Sequence, residues 1–337
     1  MMIQGVLGPI DTAELGQTLM HEHITCADWS MRMNFGARFF EFDQVAEIAA
    51  GQLGKAKALG VRTVVDGTPV NLGRDIRLIR EVARRTGLNF IASTGFYYQE
   101  EPWLYFRDEE EIYDLLMGDC ADGISGTGSK PGILKAGVGR GGLTPLLQKV
   151  LHATGRVAKE TGLPLFCHHD PSTAAGGAIL DLLASCGVPA SRVILGHSGD
   201  TDNLEYLTAM LERGCWLGMD RFGFCDRELG LEPRVDTIAA LCRAGWGHRL
   251  LLSHDLAAYL AFWDSWETTK HSDWLHLEED YTFIHRRVLP LLEERGLSRA
   301  DIDRLLTGNP CAFFEGVLKK TQEWRPTWAS APVRYAG

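Results

Sequence analysis

Short apolar runs alternate with amphipathic stretches along nearly all of this chain, and that alternation narrows its possible folds more than any other feature. The runs fall at 17–23, 62–66, 89–94, 132–136, 164–168, 192–197, 215–220 and 249–254. Helix-like stretches lie near 43–59, 74–86, 109–118, 143–161, 173–186, 201–213 and 234–244, several of them starting after Asp, Thr or Ser, as helices do. Gly60, Gly87, Gly162 and Gly187 follow four of these stretches and suit helix C-caps. A strand followed by a helix is the βα unit of parallel sheets, and eight such strands is the number that closes a barrel. The predicted fold is therefore α/β, a single (β/α)8 TIM barrel covering 1–337, with a long loop after the eighth strand and a C-terminal helical extension. A chain of 337 residues has room for two ordinary domains, but α/β barrels use this length as one.

The connection after the eighth strand, 256–279, carries Trp263, Trp266 and Trp274. Loops that long in compact domains are usually functional, so these tryptophans either pack the loop onto the barrel or line an apolar pocket. The glycine-rich GISGTGSKPG before the fourth strand does not read as a phosphate loop, because Lys130 is followed by Pro131 and no GxxxxGK[ST] pattern is present.

Charge and composition remove whole classes of function. A net charge of −10 and a pI near 5.6 argue against binding nucleic acid or an anionic membrane, both of which need clustered Lys and Arg. The eight cysteines are scattered without a CxxC, several inside apolar runs, as reduced core thiols are. The N-terminal MMIQGVLGPI lacks the pattern of a secretory signal, and no window of 18 apolar residues occurs. A cytoplasmic location is the expectation.

Two histidines, His21 and His23 in TLMHEHI, stand at the end of the first predicted strand. Residues i and i+2 of a strand share a face, so both imidazoles reach one point while Glu22 turns away. Alone the pair is weak evidence, since eleven histidines in a chain this long give a chance HxH roughly 0.4 times. Its weight comes from the ends of later strands: Lys135 in GILKAG, His168 in PLFCHHD, His197 in VILGHSGD and Asp255 in LLLSHD. In a (β/α)8 barrel the C-terminal strand ends converge on one face, where the active sites of this fold lie.

Four imidazoles and a carboxylate suit divalent Zn, Co, Mn or Fe. Five ligands exceed what one tetrahedral catalytic zinc takes, so two metal ions fit better, and two ions need an anion between them. A lysine ammonium cannot ligate. Lys135 makes sense only if its amine, kept neutral by burial or by nearby cations, has reacted with CO2 to give a bridging carbamate.

Here the chain resembles the phosphotriesterase family of the amidohydrolase superfamily, and most closely the phosphotriesterase-like lactonases, over roughly residues 5 to 318. Beyond the ligand set in order, the sequence has DGTPVNLGRD (66–75), TGFYY (94–98), GHSGDTDN (196–203), GMDRFG (218–223), SHD (253–255) and GNPCAFFEG (308–316). The resemblance implies that His21, His23 and Asp255 bind the more buried metal, that His168 and His197 bind the more exposed one, and that carboxylated Lys135 bridges them. It further implies a hydroxide shared by the metals as nucleophile, with Asp255 taking its proton and passing it to the leaving alkoxide. Tyr97 and Arg221 match residues that the lactonases hold at the mouth of the site. The implied activity is hydrolysis of a carboxylic ester, most of all a lactone, with weaker action on organophosphate triesters, and the family's habit implies a homodimer.

Other residues have plainer expectations. His169 alternates away from His168 and reads as a supporting or surface residue, and His254 as a hydrogen-bonded packing histidine. Asp66 and Arg74 are expected to hold the loop after the second strand, and Asp220 and Phe222 to support Arg221. The 256–279 loop departs from the acyl-homoserine lactonases. Phosphorylated sugar lactones, with Arg221, Arg227 and Lys270 as candidate cations, and N-acyl amides therefore stay open as substrates, as does a non-catalytic ligand-binding role. The Trp324–Trp328 segment lies in the tail, 319–337, outside the resemblance, and covers either the barrel bottom or a neighbouring subunit.

Overall fold

The computed structural model describes residues 1–223, 229–261 and 280–321, excepting the side chains of 318–321. A short antiparallel hairpin, β1 (Met2–Gly5) and β2 (Gly8–Asp11), precedes the barrel. Eight parallel strands follow: β3 (Gln17–Ala27), β4 (Val61–Asp66), β5 (Asn89–Gly95), β6 (Ile133–Val138), β7 (Leu165–His169), β8 (Val193–Gly196), β9 (Trp216–Met219) and β10 (Leu250–Leu252). Each pairs with the next in chain order.

The eighth strand closes the ring in two pieces. β10 bonds to β9, the chain turns through Ser253–Leu256, and β11 (Ala257–Ala261) then pairs in parallel with β3. Across the turn, Asp255 N donates to His21 O (3.1 Å) and His23 N to Leu256 O (2.8 Å), which joins the eighth strand to the first. The expectation that 256–279 is a loop is thus corrected at its start, where β11 continues the barrel. Its three tryptophans, together with Arg227, Lys270 and the Trp324–Trp328 segment, lie outside the described residues.

The barrel interior explains why the site points where it does. One apolar cluster takes a buried residue from every barrel strand: Met20, Val65, Ile91, Ile133, Phe166, Ile194, Trp216 and Leu251. Because side chains alternate along a strand, the residues two positions further on share the inward face. They include Gly67, Lys135, His168, Gly196, Gly218 and Ser253, so polar and glycine positions form the layer above a hydrophobic floor. In β3 the register shifts between Leu19 and Glu22, and this irregularity brings His21 and His23 inward together above Met20.

Helices α2 (Phe42–Ala58), α3 (Ile76–Thr86), α4 (Glu109–Asp122), α5 (Pro145–Thr161), α6 (Gly176–Ser185), α7 (Leu204–Glu212) and α8 (Leu231–Arg243) match the predicted stretches within a few residues. Their caps explain the agreement. Asp75, Asp108 and Thr144 accept first-turn amides, and Gly87 and Gly162 end α3 and α5 in the left-handed region. A short helix, α1 (Trp29–Phe35), directly after β3 was not foreseen, because it buries no residue and so carries no amphipathic signal. The C-terminal extension is helical to Thr321, through α9 (Leu289–Glu294), α10 (Arg299–Asp303) and α11 (Asn309–Thr321). Among the described residues no helix is long and apolar enough to cross a membrane.

Gly95 sets the approach of β5 to β6. Its φ is 142°, and a Cβ there would lie 1.7 Å from the Lys135 carbonyl oxygen. Backbone cannot yield as a side chain tip does, so Gly95→Ala is expected to cost about 3 kcal/mol or more. Thermal unfolding should show a midpoint lower by at least about 5 °C.

Candidate metal centre

The residues the sequence proposed for the site lie in the barrel strands or just beyond their C-terminal ends. His21 and His23 fall within β3 and Lys135 within β6, both strands running on past the predicted ends, and His168 is next to last in β7, while Tyr97, His197, Arg221 and Asp255 come within three residues after β5, β8, β9 and β10. Among the described residues five non-glycine positions have positive φ, and His197 (62°), Arg221 (63°) and Asp255 (60°) are three of them. Each such residue costs about 1–2 kcal/mol, and strain of this kind collects where function needs an unusual side-chain direction.

The side chains meet in one buried cluster. His21 Nε2 lies 2.7 Å from Lys135 Nζ and 3.4 Å from Asp255 Oδ1, and His23 Nε2 lies 3.1 Å from the same oxygen. His197 Nε2 and His168 Nδ1 face each other at 2.6 Å. Lys135 is 1% exposed, its amine 4.2 Å above the Phe166 ring. Arg221 Nε donates to Asp255 Oδ2 (3.2 Å) and its Nη1 to Asp200 Oδ2 (2.6 Å). The Tyr97 ring stands edge-on to His168, with centroids 4.9 Å apart.

Three of the four histidines have the outer ring nitrogen already committed. His21 Nδ1 bonds Asp220 Oδ2 (2.9 Å), His197 Nδ1 bonds Asp220 Oδ1 (3.0 Å), and His23 Nδ1 bonds Thr68 Oγ1 (2.8 Å). Each therefore presents Nε2 to the cluster, the arrangement that fixes tautomer and ring orientation in metal-ligating histidines. The donor set fits divalent ions: the ligand atoms of His21, His23 and Asp255 lie within 4.8 Å of one another, as do those of His21, His197 and Asp220. Gly67 leaves the room this requires, since a Cβ there would come within 2.5 Å of the His21 ring.

Electrostatics favour neutral bases at His21, His168 and His197, whereas His23 is pushed up to about 10, burial being outweighed by Cys26 and by the bond to Asp255. Burial pulls His21 down to about 3 and takes His168 and His197 well below the ordinary histidine value. Burial also lowers the Lys135 ammonium to about 8, against the opposing pull of Asp255. For Asp255 the upward push of burial is outweighed by His21, His197 and His23, which hold its carboxyl well below the usual range. Burial is likewise what lifts the Tyr97 phenol well above its ordinary value.

One assignment changes. Asp220 was expected to support Arg221, yet its carboxylate takes the His197 backbone amide (2.8 Å) and both histidine rings, whereas Arg221 leans on Asp200 and Asp255. The alternation from Trp216 through Gly218 already aims Asp220 inward, and that signal was available in the sequence. Asp200 and Arg234 were missed, Arg234 being fully buried with Nη2 2.7 Å from Asp200 Oδ1. His169 is buried rather than on the surface, its Nδ1 bonded to Gly196 O. His254 has the packing role expected of it, and Asp66 and Arg74 tie the loop after β4 to Ile24, Thr68, Ser93 and Asp119. Removing both histidine supports with Asp220→Ala is expected to weaken metal affinity about 10–100-fold, measured by competition with a chromophoric chelator.

Comparison with known proteins shows the family and the fold of the chain. Residues 1–314 match the model of the phosphotriesterase family. A solved structure of the phosphotriesterase from Mycobacterium tuberculosis superposes with a TM-score of 0.87 at 34% identity, covering 94% of this chain and 98% of that one. The aryldialkylphosphatase of Saccharolobus solfataricus is 31% identical over 309 residues, 90% of this chain and 96% of its own. The N-acetyltaurine hydrolase of Rattus norvegicus is 27% identical over 347 aligned positions, 91% of this chain and 96% of its own.

Proposed function

The chain belongs to the phosphotriesterase family, a family of hydrolases, and from that premise we propose that it is a binuclear metal-dependent lactonase with a lesser activity on organophosphate triesters. The observation that carries this is the meeting of His21, His23, Lys135, His168, His197 and Asp255 in one cluster above the barrel floor. His21, His23 and Asp255 would hold one ion and His168 and His197 the other, with Lys135 as a carbamate shared between them. When bound, the ions supply a water whose pKa falls to about 7 and an electrophile for the substrate oxygen.

The chain's own groups do the rest. Asp255, held as an anion, takes a proton at Oδ1 or Oδ2 and returns it to the leaving alkoxide. Arg221, pinned by Asp200, keeps Asp255 oriented and sets a permanent positive charge beside it, where it can stabilise negative charge on a substrate oxygen. Tyr97 borders the His168 side of the cluster, where a phenol held neutral can donate a hydrogen bond.

A panel of lactones, aryl esters and a dialkyl aryl phosphate, assayed with metal analysis of the same sample, tests the proposal. The expected order is lactone above ester above phosphotriester, with about two ions per chain. Hydrolysis of none of these by protein carrying two ions would defeat it. The likeness to an N-acetyltaurine hydrolase supports a second reading, an N-acyl amide hydrolase on the same site. N-acyl amides in the same panel, cleaved faster than any lactone, would select it.

Carboxylation needs the neutral amine, so its pH dependence follows from Lys135. With the ammonium lowered to about 8, roughly one amine in ten is neutral at pH 7 and roughly nine in ten at pH 9. Reactivation of metal-free protein by Zn at a constant concentration of dissolved CO2 is expected to quicken severalfold across that interval. A rate independent of pH would count against the carbamate.

A further inference from the structure

Glu22, between the two histidines of the HEH sequence, points away from the cluster and is nevertheless fully buried. Its carboxylate takes four donors, all from the turn that ends the eighth strand. Oε1 accepts from Ser253 Oγ (2.8 Å), His254 N (2.9 Å) and His254 Nδ1 (2.7 Å), and Oε2 accepts from Leu256 N (3.0 Å). His254 Nε2 accepts from Ile284 N, which leaves the ring proton on Nδ1, where it serves Glu22. Ser253 Oγ also accepts from His21 N (2.8 Å), so one hydroxyl links the clamp to the histidine strand.

Asp255 is the residue this carboxylate brackets without touching. Its neighbours on both sides are bonded to Glu22, while its own backbone sits at φ 60°, a left-handed conformation that carries a steric cost for a non-glycine residue. We infer that Glu22 is a positioning residue: by gripping residues 253, 254 and 256 it forces the Ser253–Leu256 turn into the left-handed conformation that delivers the Asp255 carboxylate to His21, His23 and Arg221. The clamp lies at the seam where the first and eighth strands close the barrel, so the same four bonds fix the distance between the HxH pair and its carboxylate. The catalytic consequence rests on the hydrolase reading above, whereas the geometric claim does not.

Glu22→Gln keeps size and shape but sets an amide NH2 against donors. A crystal structure of that variant is expected to show the 253–256 turn relaxed, with the Asp255 carboxylate moved by more than about 1 Å from His23. In the same variant kcat on the best wild-type substrate is expected to fall about 10–100-fold with KM changed less than about threefold. Ser253→Ala should lose about 5–10-fold in kcat and Ser253→Thr, which restores the hydroxyl, should regain it; this pair decides the matter if Glu22→Gln does not fold. An unmoved Asp255 in the Glu22→Gln structure, or unchanged kcat in both Glu22→Gln and Ser253→Ala, overturns the inference. If the wild type hydrolyses nothing in the panel, the hydrolase reading fails by itself, and the position of Asp255 in the crystal still decides the clamp.

Discussion

Lys135→Ala is expected to leave a folded barrel that binds at most one metal ion and has lost kcat/KM by about 10³-fold or more. The size of the effect follows from where the amine sits. It is buried, 2.7 Å from His21 Nε2 and stacked over Phe166, and among the described residues no carboxylate lies within ion-pair reach of it. A structural lysine in a barrel interior is paired with an acid, because an uncompensated buried charge costs several kcal/mol. This one faces a histidine instead, which suits an amine that is neutral before it reacts. Truncation to alanine removes no hydrogen bond on which the fold depends, so the metal-free variant should melt within a few degrees of the metal-free wild type. Metal analysis, kinetics and unfolding on the same preparation separate the outcomes. Two ions bound with activity retained in Lys135→Ala would show that the amine is not the shared ligand.

The barrel was legible because its signal is local and repeated. Each strand ends in a turn or cap the sequence announces, and a parallel sheet follows from the βα alternation without knowledge of distant contacts. The proposed ligands were legible for a related reason: Lys135 and His168 stand two residues beyond Ile133 and Phe166, which face the barrel floor, so strand periodicity alone aims them. Periodicity failed where the backbone breaks it. The irregularity in β3 and the Ser253–Leu256 turn are set by bonds between residues more than two hundred positions apart, Glu22 with Ser253, His254 and Leu256, and no local pattern records them. Asp220 fell between the cases. Its direction could be read from Trp216, but its two histidine partners are brought to it only by the closed ring. Arg234 was hidden by its type, since a fully buried arginine is the exception and α8 shows it as one more charged residue in an amphipathic helix.

Asp255→Asn should separate binding from chemistry more sharply than any histidine substitution. Asparagine is nearly isosteric, and its carbonyl oxygen can still accept from Arg221 Nε, as Asp255 Oδ2 does at 3.2 Å. That choice turns the amide NH2 toward His23 Nε2, where Oδ1 now stands at 3.1 Å. His21, His23, Lys135, His168 and His197 remain, so most of the metal should stay bound. An amide has no basic oxygen with which to take a proton from an attacking water, and loss of a general base typically costs about 10²–10⁴ in kcat. The deficit should appear in kcat and kcat/KM alike, because the interaction removed is one made only as the proton moves. It should also shrink for substrates with strongly acidic leaving groups, whose alkoxides depart without a proton from the enzyme. His168→Ala must behave differently, losing metal and activity together and recovering part of the activity at raised Zn concentration. If Asp255→Asn instead recovers with added Zn, Asp255 acts only as a ligand, and the proton falls to another group, with Arg221 excluded by its permanent charge and its pairing to Asp200.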